Sequence, residues 1–213
     1  MENIAVLTGD LVASTKAESS AVDRAMQALS QAALNLSVWA GHDTRFTRFR
    51  GDGWQLYLAQ PGLTLRATLF LTAFLRAADA GLATRISVSI APYRSLGETG
   101  LSGASGVAFT QSGRGLDQMP TSMRMGFDGV GCYAIWQSAL LDITSWQANR
   151  WTREQATAMA LALDPTNPTQ DQIAQSLGIT RQAVQVRLKG AGLSALQSAL
   201  FAFEVAFATE PAP

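Results

Sequence analysis

The chain is poor in the side chains that hold metals and cross-links: among its 213 residues there is one cysteine and one histidine. Cys132 alone closes no internal disulfide, and with His42 it builds no thiolate or imidazole zinc site, so any metal must be held by carboxylates. Charge is scarce and balanced, 16 basic residues against 16 acidic. The chain therefore lacks the basic excess that marks nucleic-acid binders by composition, and any such surface must be local. Long apolar runs are missing too. The stretch around Leu69 and Leu75 is interrupted by Arg66, Thr72 and Arg76, and nothing approaches the roughly 20 residues that span a bilayer. The first residues carry Glu2 and no basic segment ahead of an apolar run, so no secretory signal is expected. A cytoplasmic protein without membrane contact is the expectation. What the chain has is apolar residues, 47% of the total, enough for the core of one ordinary domain and a small second one.

Residues 4–8 form a short apolar run stopped by Gly9 and Asp10, the pattern of a buried strand ending in a turn. Val22, Met26, Leu29, Ala33, Leu34 and Val38 then repeat at helical spacing, with Ser19 or Ser20 as candidate N-cap. Residues 45–50 and 54–58 read as two strands of a hairpin around Gly51-Asp52-Gly53. After Pro61-Gly62 a second helix is expected over 63–80, closed by Gly81. Ile86, Val88 and Ile90 alternate with polar residues across a strand over 84–91. This order, strand, helix, strand, strand, helix, strand, predicts an α+β fold, a ferredoxin-like or palm sheet of four antiparallel strands with two helices on one face. A loop over 95–106, a helix over 107–116, a short strand over 123–127 and a helix over 133–146 follow. A change of composition at 149–152 and the prolines Pro165 and Pro168 place a domain boundary near Arg150, giving a sheet domain over 1–150 and a small all-α domain over 151–213.

Residues 169–189 carry the pattern of a helix-turn-helix. Ile173, Ala174, Leu177, Ile179, Val184 and Leu188 suit the buried seam of two short helices, Gly178 supplies the turn, and Thr169 and Thr180 are matching N-caps. The second helix then presents Arg181, Gln182, Gln185, Arg187 and Lys189 with no acidic residue among them. Arginine and glutamine are the side chains that make paired hydrogen bonds to guanine and adenine edges in the major groove of duplex DNA. Any two short helices around a glycine give similar spacing. The stretch from Gln172 to Val184, QIAQSLGITRQAV, further resembles bacterial regulators of the sigma-factor region four and MarR-like type. Beyond it Leu193, Leu196, Leu200, Phe203 and Phe207 make an apolar stripe, either packed on the same small domain or used as a homodimer helix.

In the first domain Asp10 ends the first strand and Asp52 sits in the adjacent hairpin, so both carboxylates can converge on a divalent cation, Mg²⁺ or Mn²⁺. Gly9, Gly51 and Gly53 would let a phosphate approach the backbone. Equally, aspartate-glycine pairs are ordinary turn formers. Arg45, Arg48 and Arg50 bind ligand phosphates or are merely solvated. The five tryptophans read as core or interdomain packing, His42 as a loop residue and Cys132 as a buried apolar side chain.

GDLVAST at 9–15 and FRGDGW at 49–54 look like the two metal-binding motifs of the class III nucleotide cyclase superfamily, and RISVSI at 85–90 looks like its fourth strand. The segment 106–116 is similar to the cyclase helix that carries a transition-state asparagine and arginine. Within that superfamily the chain most resembles the SatD family, in which a cyclase-like domain can precede a helix-turn-helix. The resemblance implies Asp10 and Asp52 as metal ligands, Leu11, Val12, Ser14, Thr15, Arg50 and Thr110 as a nucleotide surface, and Arg114 as the arginine that stabilises phosphate charge. Thr110 stands where the asparagine is expected, Gly53 where diguanylate cyclases place a glutamate, and Lys16 is the single lysine of the domain. These departures favour a nucleotide-binding regulator of DNA, through Thr180 and the helix after it, over an active cyclase or nucleotidyltransferase.

Overall fold

The structure, a computed structural model, describes residues 2–127 and 135–209; Cys132 and Tyr133 lie outside them. Its centre is β1 (Asn3–Leu11), flanked by β3 (Gly53–Leu58) and β4 (Thr84–Ser95), with β2 (Thr47–Phe49) outside β3. The order β2-β3-β1-β4 is antiparallel at every junction. Alternate residues of β1 face opposite ways. Ala5, Leu7 and Leu11 pack with α1 (Ser19–Ala40) and α2 (Thr64–Ala77), whereas Ile4 and Val6 join a second cluster with Ala108 and Phe109 of α3 (Val107–Gln118). A strand covered on both faces loses its polar alternation, which is why residues 4–8 read as a continuous apolar run.

The fold is α+β, as expected, and several details differ from the sequence reading. α1 starts after Glu18, without a side-chain cap from Ser19 or Ser20. α2 ends at Ala77, and Gly81 (φ +74°) shapes the turn beyond it rather than capping it. β4 continues to Ser95, where it pairs with a two-residue strand, β5 (Ser105–Gly106). α3 packs on the face opposite α1 and α2, so helices lie on both faces. β6 (Met125–Phe127) runs parallel to β4, as a strand returning through a helical crossover does.

Beyond α4 (Ile135–Ala148) the chain forms α5 (Arg153–Ala162), α6 (Gln170–Leu177), α7 (Arg181–Ala191) and α8 (Leu193–Thr209). α5 is absent from the sequence reading, although a reciprocal capping box between Thr152 and Gln155 marks its start. It packs on α2, and one hydrophobic core runs from β1 through α2 and α5 to α7 and α8. Trp151, 1% exposed, sits at the joint and donates its indole N–H to the Ala191 carbonyl at 2.9 Å. Arg76 of α2 donates to the Trp151 and Asn149 carbonyls. Leu196, Leu200 and Phe203 of α8 are buried within the chain, so the stripe packs on its own molecule. Trp54 and Trp151 are core residues, but Trp136 and Trp146 stand exposed on α4. Among the described residues no single helix is long and apolar enough to cross a membrane.

Candidate nucleic-acid interface and nucleotide site

α6 and α7 are set by local chemistry. Thr169 accepts from the Gln172 N–H while the Gln172 side chain accepts from the Thr169 N–H, closing the first helix at its start. Gly178 ends it in the left-handed region (φ +64°), with nothing near the position of a missing Cβ, so its role is the turn and not close packing. Thr180 then caps α7 by accepting from the Ala183 N–H at 3.2 Å. Val184, Leu188 and Ala191 bury one side of α7 against α5 and α6. The opposite side exposes Arg181, Gln182, Gln185, Val186 and Lys189. These positions share a face at 3.6 residues per turn.

Two details refine this face. Arg187 is only half exposed and lies towards Glu154, whose carboxyl is held below its usual value by its own backbone N–H, the Thr152 hydroxyl and, more weakly, Arg187. Val186, passed over in the sequence, is 71% exposed in the middle of a polar surface. An apolar side chain there suits the C5-methyl of thymine. Arg181 sits 3.9 Å from Asp171, a solvated pair of little strength.

At the sheet end, Asp10 and Asp52 come close through the backbone: Asp10 is opposite Gly53, and the Leu11 N–H donates to the Asp52 carbonyl at 3.2 Å. Their carboxylates are already engaged. Arg85, opposite Asp10 on β4, grips it with Nε at 2.9 Å and with Nη2, and donates from Nη1 to the Met119 carbonyl at the end of α3. Donating to the Asp10 carboxylate raises the Arg85 pKa above its ordinary value, against a partial desolvation. Asp52 accepts from the Ser14 hydroxyl. Among the described residues no three acidic, histidine or cysteine side chains gather into a metal-binding group. As arranged, the donors do not fit Mg²⁺ or Mn²⁺, because a cation entering at Asp10 must first displace a guanidinium.

Gly9 and Gly53 are required by close packing and Gly51 by the turn. A Cβ on Gly9 would lie 2.4 Å from the Trp54 ring and 2.5 Å from the Arg85 carbonyl, and one on Gly53 would lie 2.9 Å from Phe49. Gly51 takes φ +83° in the turn. Leu11 is buried, the Val12 N–H is bonded to the Ala83 carbonyl, and Thr15 is exposed in a short 3-10 turn. Arg45 donates to the Leu96 and Gly97 carbonyls and so ties two loops together, whereas Arg48, in a solvated pair with Asp23, and Arg50, in the turn, are exposed.

Thr110 and Arg114 lie elsewhere. They line a cleft of about 550 Å³ with Tyr93, Arg94 and Gly106 beside the start of α3. α3 runs back along β4, with Gln111 on Ser89, Ser112 on Thr8 and the Met119 carbonyl on Arg85, so Arg114 stands in the helix between that cleft and the Asp10–Arg85 pair. Arg94 is an addition the sequence reading lacked. In comparisons with known proteins the chain matches no family model, no curated protein and no solved structure.

Proposed function

We propose that this chain is a cytoplasmic regulator that binds duplex DNA through α7. The carrying observation is the outer face of that helix, where Arg181, Gln182, Gln185, Val186 and Lys189 stand together behind a capped turn with no acidic side chain among them. Hydrogen-bonding amides, cations and one methyl-bearing side chain are the chemistry that reads base edges and phosphates in a major groove. Two copies on a paired half-site would give such a short reading helix its specificity.

The sheet portion is read as the input. Its antiparallel strand order β2-β3-β1-β4 is compatible with a ferredoxin-like palm and is what supports reading this portion as a cyclase-like domain of the SatD type. A nucleotide is the ligand class that this resemblance implies. The cyclase alternative requires the Asp10–Arg85 pair to open; the regulator does not. Because α2 touches both the sheet and α5, ligand binding on the sheet side has a packed route to α7.

Selection of duplexes from a random pool, followed by mobility shifts on the recovered sequence, tests the reading. Gln182→Ala with Gln185→Ala is expected to weaken the selected site by at least about tenfold while leaving weak non-specific binding in place. Recovery of no sequence above background at low salt would remove the proposal.

A further inference from the structure

A second cleft, of about 540 Å³, opens between the end of α2, the approach to β6 and the last turns of α4. Three guanidiniums line it, Arg76, Arg124 and Arg150, against one carboxylate, Asp142, with Trp146 and Asn149 beside them. All recorded acceptors of the three arginines are neutral backbone carbonyls: Trp151 and Asn149 for Arg76, Thr121 and Met123 for Arg124, and Trp146 for Arg150. None of the three has an ion pair among the described residues. A guanidinium offers five N–H donors, so each keeps charge and donors for a further acceptor. The Arg150 guanidinium carbon lies 3.6 Å from the Trp146 ring centroid, and that indole is 57% exposed. The volume falls within the roughly 300–1,000 Å³ span of small-molecule sites.

We infer that this cleft binds a small phosphate ester carrying a flat ring, of the nucleoside monophosphate class. Three guanidiniums on the lining of one cleft match the oxygens of a phosphate, which arginine holds by paired charge-assisted bonds. The indole supplies an apolar wall for a ring, already polarised by its contact with Arg150. The consequence for DNA rests on the regulator reading; the binding does not. Arg76 holds the carbonyls of Asn149 and Trp151, and Arg150 lies between them, so an anion drawing on these guanidiniums acts on the segment that enters α5.

Isothermal titration of the full chain at low ionic strength with the four nucleoside monophosphates, their parent nucleosides and inorganic phosphate tests this. At least one monophosphate is expected to bind in the sub-millimolar range, with its nucleoside about tenfold weaker or worse. Arg124→Ala and Arg150→Ala are each expected to reduce that affinity about tenfold. Trp146→Leu is expected to bring the monophosphate down to the level of inorganic phosphate. Asp142→Asn should tighten binding by about twofold or more by removing a like charge, an effect that mere structural damage does not produce. Arg24→Ala, on the exposed side of α1, is the control and should change nothing. Absence of binding by all four monophosphates at millimolar concentration overturns the inference, as does binding indifferent to Arg124→Ala and Arg150→Ala. Mobility shifts of the same variants without ligand should match wild type, which separates failure here from failure of the DNA reading.

Discussion

The α7 face and the Asp10–Asp52 region are the two motif-bearing parts of the chain, and they hold their polar groups in opposite ways. On α7, Gln182, Gln185 and Lys189 reach outward from a helix whose other side is buried. At the sheet, Asp10 is gripped by Arg85 and Asp52 by Ser14, and the space beside Gly9 is filled by Trp54. A surface that recognises something else keeps its donors and acceptors available, whereas one that is satisfied within the fold must first be opened. The same kind of motif match thus has different physical content at the two places.

The largest effect should come from the joint between them. Trp151→Ala removes a fully buried indole and its bond to Ala191, and is expected to cost about 3–5 kcal/mol in chemical denaturation. A two-step transition in that variant would show the halves folding apart and would sharpen the contrast; a small cost with one transition would break it. Next, Gly9→Ala forces a methyl against the Trp54 ring and the Arg85 carbonyl, for an expected loss of about 1–3 kcal/mol. Full stability together with lost nucleotide binding would instead return Gly9 to a phosphate-binding role.

Arg85→Ala bears on the carboxylates. Freed of the guanidinium, Asp10 should bind Mn²⁺ about tenfold more tightly than wild type, read by electron paramagnetic resonance of the free ion. Tight binding by wild type that Asp10→Asn abolishes would show that the pair yields readily to a metal. The smallest effect concerns Tyr57, whose pKa burial raises above its ordinary value, outweighing the opposing pull of Arg45. With the folded pKa above the unfolded one, the buried phenol costs nothing below about pH 10, and stability falls as pH rises beyond it because the folded state resists the ionisation that the unfolded chain undergoes. Tyr57→Phe should flatten the alkaline limb of the stability profile and leave neutral pH unchanged.

Periodicity made much of this fold legible. The alternation of Ile86, Val88 and Ile90 and the spacing from Val22 to Val38 marked β4 and α1, and Thr169, Gly178 and Thr180 marked the helix-turn-helix to the residue. α5 escaped because its alanine-rich sequence gives little contrast between faces, although Thr152 and Gln155 announce its start. The side on which α3 packs and the parallel pairing of β6 depend on partners distant in the chain. So does the fate of Asp10, whose partner lies 75 residues away in a register that only the assembled sheet defines. Val186 looks like any apolar helix residue until the phase of α7 is fixed by Val184 and Leu188.

The central claim, that α7 reads duplex DNA, is tested most directly by affinity for a selected duplex as a function of salt, for wild type and for Lys189→Ala. The account predicts sequence-dependent binding whose logarithm falls linearly with the logarithm of salt, and a slope reduced by about one in the variant. Binding that ignores both sequence and salt, or no binding at low salt, would contradict it.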